Sequence, residues 1–307
     1  MRALPRAFAL MKRRGSDAGR VRSEQTTGIL LLCAAVLCFT LMDASAKQLT
    51  QTYSPLQVVW ARFIGNIAIV ALILRGGLPR MARSRQPRLQ FFRALTQLAS
   101  VLLFFTSLQF IGLAEATAIM DLNPVLITLG AALFLGERIG IRRILGILAA
   151  MIGAMIIIRP GAGVFEPGAL LPLVGAFTYA SGALLTRMVR SDSAATSVLW
   201  SAIIGGILTS LVVPFVWQPI QAQHLCAFLS LAFFGTISQW FLIRAFACAE
   251  AGVLAPFGYS GLIWAGLWGW LFFGQLPDRW TILGAAIIVG AGLYVWWRET
   301  RTAQDTA

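Results

Sequence analysis

"LFLGERIGIRRILG" at residues 133–146 and "LFFGQLPDRWTILG" at residues 271–284 are two copies of one phrase. Set at an offset of 138, they agree at Leu133/Leu271, Phe134/Phe272, Gly136/Gly274, Ile144/Ile282, Leu145/Leu283 and Gly146/Gly284. The second copy has shed positive charge: Arg138, Arg142 and Arg143 become Leu276, Trp280 and Thr281. A further echo pairs "LAEATAIMDLNP" (113–124) with "CAEAGVLAPFGY" (248–259), three residues out of step with the first.

Both phrases sit in apolar surroundings. Of 307 residues 58% are hydrophobic and 12% charged, against roughly 45–50% and about 25% in soluble domains; mean hydropathy is +0.77. This composition is that of an all-α membrane protein. A bilayer core needs roughly 20 apolar residues per helix. Ten stretches approach that length, at 27–48, 55–75, 90–110, 115–135, 140–158, 168–188, 195–217, 225–247, 251–273 and 279–297.

The net charge of +13 raises nucleic acid as a partner, but the Lys and Arg residues lie between apolar runs. That placement reads as orientation and lipid attraction. Seven basic residues precede position 27, and the apolar stretch after them is too long for a signal-peptide core, so a retained first helix follows a basic tail, residues 1–26. With both termini cytoplasmic and ten spans, 20 basic residues fall on the inner side, against Lys47, Arg159 and Arg279 on the outer. The four cysteines and His224 form no metal-ligand spacing, so no metal or cofactor is expected.

Five spans in each half turn the second copy over in the membrane. The first phrase then joins two spans inside and the second joins two spans outside, and the lost arginines follow from the positive-inside rule. The basic loop after the second span likewise has a counterpart, "QPIQAQHLC" (218–226), with no Lys or Arg. The expected architecture is ten transmembrane helices as two inverted five-helix repeats, 27–158 and 168–298, with a short tail at 299–307.

Several short motifs recur in the same order as in a known family. They are "WARF" (60–63), Asn123-Pro124, Gly136-Glu137, the glycine-spaced Gly146 to Gly153, and the weaker copy at Gly274, Gly284 and Gly290. In these the chain resembles the drug/metabolite transporter superfamily, as a carrier of two EamA domains. It departs from the family pattern at Gln275, commonly Glu, and at Leu262, which matches Pro124. The resemblance implies a secondary carrier with a cavity between its halves. It favours export of a small zwitterionic or amphipathic metabolite, an amino acid or an amino-acid-derived compound such as an opine-like metallophore. Relatives of this type also include uptake carriers for vitamins and cofactors, riboflavin-like or S-adenosylmethionine-like.

Ionisable groups within spans are costly and mark pairs or pathways. Asp43, Arg62 and Asp121 fall at similar depth in the first half, where Arg62 neutralises a carboxylate; Asp43 is also one turn from Lys47. Arg244, with Gln239, is the second-half candidate for an anionic group. Pro124 and Pro256 are expected helix breaks, since proline lacks an N–H and obstructs the preceding turn. Asn123, Tyr259, Trp264 and Tyr179 complete the candidate lining. Gly146, Ala150 and Gly153, with Ala286 and Gly290, have the spacing of close helix contacts.

No G-x-x-x-x-G-K-[ST] loop is present, so transport driven by ATP on this chain is not expected. Asp121 and Asp43 are the candidates for proton coupling. An intramembrane hydrolase, the competing enzyme class, would depend on His224, which lies in a loop without a G-x-S-x-G partner. The chain is therefore read as a non-enzymatic inner-membrane carrier. Its partners are a small-molecule substrate and the lipid bilayer, with a homodimer left open.

Overall fold

A computed structural model describes residues 4–74, 84–135, 140–159, 167–189 and 192–305. Arg75, Arg80, Arg83, Gly136, Glu137, Arg138 and Arg190 lie outside the described residues. Among the described residues twelve α-helices run in order: α1 Leu4–Thr50, α2 Pro55–Leu74, α3 Pro87–Ser107, α4 Leu113–Met120, α5 Asn123–Leu135, α6 Ile141–Ile158, α7 Leu170–Met188, α8 Ala194–Val212, α9 Leu225–Cys248, α10 Ala251–Gly258, α11 Ser260–Phe273 and α12 Arg279–Asp305. The described residues contain no strand.

Helices are the solution lipid imposes, because each backbone N–H and C=O must be satisfied within its own segment. Among the described residues eight stretches are long and apolar enough to cross a membrane, from Glu24–Thr50 to Arg279–Arg298, and Ile144–Ile158 is a shorter apolar helix. The fourth expected span divides into α4 and α5, and the ninth into α10 and α11. At the amino terminus the basic tail is not separate: α1 begins at Leu4 and continues unbroken through the first span.

Local chemistry sets several ends. Pro55 and Pro87 open α2 and α3, where the missing N–H costs nothing. Ser193 caps α8, its Oγ accepting from the Thr196 amide. Gly274 closes α11 with φ 63°, a left-handed conformation that glycine adopts without strain. Asp278 accepts the Thr281 amide at 2.8 Å at the start of α12 and pairs with Arg159. Burial acts to raise the Asp278 carboxyl, but bonds from Thr281 and the Arg159 charge hold it below the ordinary carboxylate range.

The helices do not pack by sequence half. α1 and α2 lie against α9, and α10 and α11 lie against α1; α3 lies against α7 and α8, and α4 and α5 lie against α7. Each of these two groups therefore mixes both halves, while α6 and α12 pack on each other. Exchanging the halves converts one group into the other: α1 on α9 becomes α7 on α3, and α2 on α9 becomes α8 on α3.

Each group is fastened where its loops meet. In the first, Gln57 and Gln218 exchange side-chain and backbone bonds of 2.8 and 2.9 Å, and the Gln221 amide donates to Tyr53 Oη, which also bonds His224 Nδ1. In the second, Asp192 accepts from Ser84 Oγ, the Arg85 amide and Gln90 Nε2. Burial acts to raise the Asp192 carboxyl, yet those bonds and the Arg85 charge keep it below its usual range. Arg93 belongs to this fastener and not to a loop: it is buried in α3 and donates to the Ser197 carbonyl and to Ser201 Oγ.

Between α6 and α12 the close contact involves Gly153 and Gly284. A Cβ on Gly284 would stand 2.5 Å from the Gly153 carbonyl oxygen and 2.6 Å from Ile157 Cγ1. Ala286 and Gly290, whose spacing suggested the contact, are exposed, and a Cβ on Gly290 meets nothing within 4 Å. The reason is rotational: the buried stripe of α12 is Gly284, Ala285, Ile288 and Ala291. Gly284→Val is expected to lower the thermal midpoint in detergent, by the several degrees that about 1–3 kcal/mol of overpacking implies. Gly290→Val should leave it unchanged.

Candidate functional site

The repeat acquires its chemistry where the two divided spans break. α4 ends at Met120, Asp121 and Leu122 form a turn, and α5 begins at Asn123. α10 ends at Gly258, Tyr259 forms the turn, and α11 begins at Ser260. At the offset of 138 found in the sequence, Asp121 and Tyr259 are equivalent positions. The first break follows from Pro124, which has no N–H and crowds the Met120 carbonyl. The second differs from the expected one. Pro256 remains inside α10, where the carbonyl it obstructs, that of Gly252, belongs to the first helical turn, and the chain breaks three residues later at Tyr259.

Five buried polar side-chain atoms among the described residues lack a hydrogen-bond partner. Four of them are Arg62 Nε, Asp121 Oδ2, Asn123 Oδ1 and Tyr259 Oη, and the fifth is Gln86 Oε1. An unpartnered buried group of this kind costs about 1–3 kcal/mol, more if charged, so the occurrence of four on candidate transport residues singles those residues out. Asp121 bears electrostatically on Tyr259, and Asp43 on Arg62. The Arg62 guanidinium also lies 5.6 Å from the Phe105 ring and 5.9 Å from that of Phe63.

Tyr259 reaches this position because α12 offers no side chain there. A Cβ on Gly292 would fall 1.8 Å from Tyr259 Oη. Nothing in the sequence marks this glycine, which is one of 29.

The other expected residues have partners or exposures of their own. Arg244 is exposed on α9 with its guanidinium 5.8 Å from the Trp240 ring centroid, and Gln239 is half-buried on the same helix. Tyr179 is exposed on α7. Trp264 stacks on Trp268 at 5.9 Å and 18°, and Trp268 on Phe272 at 5.5 Å and 16°. Trp268 Nε1 also donates to Thr40 Oγ1 at 3.1 Å, which ties α11 to α1. Lys47 does not turn to Asp43. Its Nζ donates to the carbonyls of Leu108 and Ile111 at 3.1 and 2.7 Å, acceptors in a turn that helical spacing cannot reveal.

Each unpartnered atom has a definite chemical requirement. Asp121 and Asn123 offer oxygens that require donors, Arg62 offers a donor that requires an acceptor, and the surroundings are apolar enough to make both worth satisfying. Gly292→Ala should drive the Tyr259 hydroxyl from its seat. The expected result is at least about tenfold slower transport, roughly 1.4 kcal/mol, in protein that remains monodisperse in detergent. Gly290→Ala should transport normally.

The chain matches known proteins along most of its length. The model of the EamA-like transporter family matches twice, over residues 26–159 and 166–297. The chain is 26% identical over 270 residues to a pseudopaline exporter of Pseudomonas aeruginosa, covering 86% of this chain and 94% of the relative. It is 30% identical over 294 residues to a riboflavin transporter of Rhizobium johnstonii, covering 93% and 96%. It is 23% identical over 277 residues to an S-adenosylmethionine uptake transporter of Rickettsia felis, covering 90% and 94%.

Proposed function

The chain belongs to the EamA-like transporter family, and on that premise we propose that it is a ten-span secondary carrier of the inner membrane, with both termini cytoplasmic, which exports a small zwitterionic solute by alternating access. The observation that carries the reading is the set of four unpartnered buried atoms on Arg62, Asp121, Asn123 and Tyr259. A solute ammonium would satisfy Asp121 and Asn123, and a solute carboxylate would satisfy Arg62. The inverted arrangement is supported by the charge exchange between the two phrases and by packing that is preserved when the halves are interchanged. The units that move are then the two mixed helix groups, because each contains helices of both repeats.

A second reading, uptake of a solute with a planar ring system, is favoured by the Trp264–Trp268–Phe272 stack and by the likeness to the riboflavin transporter. Flat aromatic faces of this kind accept a further ring at little conformational cost.

Comparing metabolites inside cells and in the medium by mass spectrometry, with and without the gene, separates the two. Export predicts that deletion raises a solute inside and depletes it outside; uptake predicts the reverse. Asp121→Asn, Arg62→Gln and Tyr259→Phe should each abolish most of the difference, whereas Arg244→Ala should retain it. If the three central variants transport like the parent, the solute is held elsewhere.

A further inference from the structure

The two ends of the bundle are not alike. At one end α4 packs against α11, which brings the two mixed groups together. The equivalent pair under exchange of the halves, α10 and α5, has no comparable contact among the described residues. Among the described residues the α4–α11 contact therefore closes one end, and no matching contact closes the other. On the proposed orientation the closed end is the outer one.

Lys47 lies in that closure. It is 3% exposed, although it carries an ammonium, and burying a charge without compensation is costly. Its compensation comes from across the seam. Lys47 sits on α1, in the first group, while Leu108 and Ile111, whose carbonyls accept from Nζ, sit in the turn between α3 and α4, in the second. The ammonium also lies 5.6 Å from the Phe273 ring at the end of α11, and Glu115 of α4 bears on it electrostatically. Gln51 and Gln109 reinforce the same seam, Gln51 donating to the Leu108 carbonyl at 3.3 Å and Gln109 to the Thr50 carbonyl at 2.7 Å. A cavity of about 230 Å³, bordered by Lys47, Gln51, Gln109, Phe110, Phe273 and Gln275, remains at this junction.

We propose that Lys47 is the bolt of the outer gate, holding the two helix groups together at the outer end through the Leu108 and Ile111 carbonyls, while the face of Phe273, in its own group, steadies the ammonium that makes those bonds. The inference rests on the carrier reading above. Its logic is one of exchange: when the groups part, water replaces both carbonyls, so the bolt releases without leaving a bare charge in the hydrocarbon. Asp43 and Thr40 follow Lys47 down the same face of α1 at one and two turns, about 6 and 10 Å. Opening the bolt therefore exposes the path toward the centre.

The test reads accessibility and needs no known substrate. In protein with Cys33, Cys38, Cys226 and Cys248 replaced by Ser, a Thr40→Cys reporter is labelled on intact cells with a membrane-impermeant, positively charged methanethiosulfonate. Adding Lys47→Ala should speed labelling about tenfold, the size of shift expected when a closed state loses about 1.4 kcal/mol relative to an open one. Phe273→Ala should accelerate it as well, and Lys47→Arg should stay close to the parent. An unchanged rate in folded Lys47→Ala overturns the proposal; should that variant not reach the membrane, an unchanged rate in Phe273→Ala overturns it equally. Because labelling does not depend on a solute, a failed bolt and a failed carrier assignment give different results.

Discussion

Backbone hydrogen bonding in hydrocarbon is the constraint from which this structure follows. A chain that crosses lipid must satisfy every N–H and C=O within its own helix, and interruptions survive only where protein or water shields them. This protein interrupts two spans at equivalent positions, Asp121 and Tyr259, and at the first break places Asp121 and Asn123 beside the freed backbone. The breaks are consequently both the weakest points of the helical ladder and the centre of its polar chemistry.

Around that centre the two repeats exchange partners. α1 lies against α9, and α7 against α3, so neither repeat forms a unit alone. Each mixed group is fastened at its loops by different chemistry. Tyr53, Gln57 and His224 serve one, and Asp192, Gln90 and Arg93 serve the other. Among the described residues the seam between the groups is tied at one end by Lys47 and α4 on α11, and lacks the matching α5–α10 contact at the other. Duplicated sequence thus yields two similar groups.

The site was partly legible from residue type alone. Asp43, Arg62, Asp121 and Asn123 stood out because charge and amide groups are costly in a span, and Pro124 announced the first break through its missing donor. Tyr259 was picked out only as part of the candidate lining, and Pro256 attracted the expected break. Gly292 was not visible, since a glycine that makes room looks the same in sequence as one that merely packs. Arg244 attracted attention by the same charge argument as Arg62, but rotation about α9 leaves it exposed beside Trp240.

The sequence by itself determined that the chain is helical, that it is apolar enough to cross a membrane many times, and that it carries one unit twice with its charges exchanged. These properties are local or additive, and composition, length and repetition record them directly. Tertiary structure decided which helices touch, that Lys47 reaches carbonyls instead of Asp43, and that Gly284 and not Gly290 meets α6. In lipid nearly every helix face is apolar, so hydrophobic pattern does not choose partners; close fit of small residues and satisfaction of buried polar atoms do. Both are properties of surfaces that exist only once the helices have assembled.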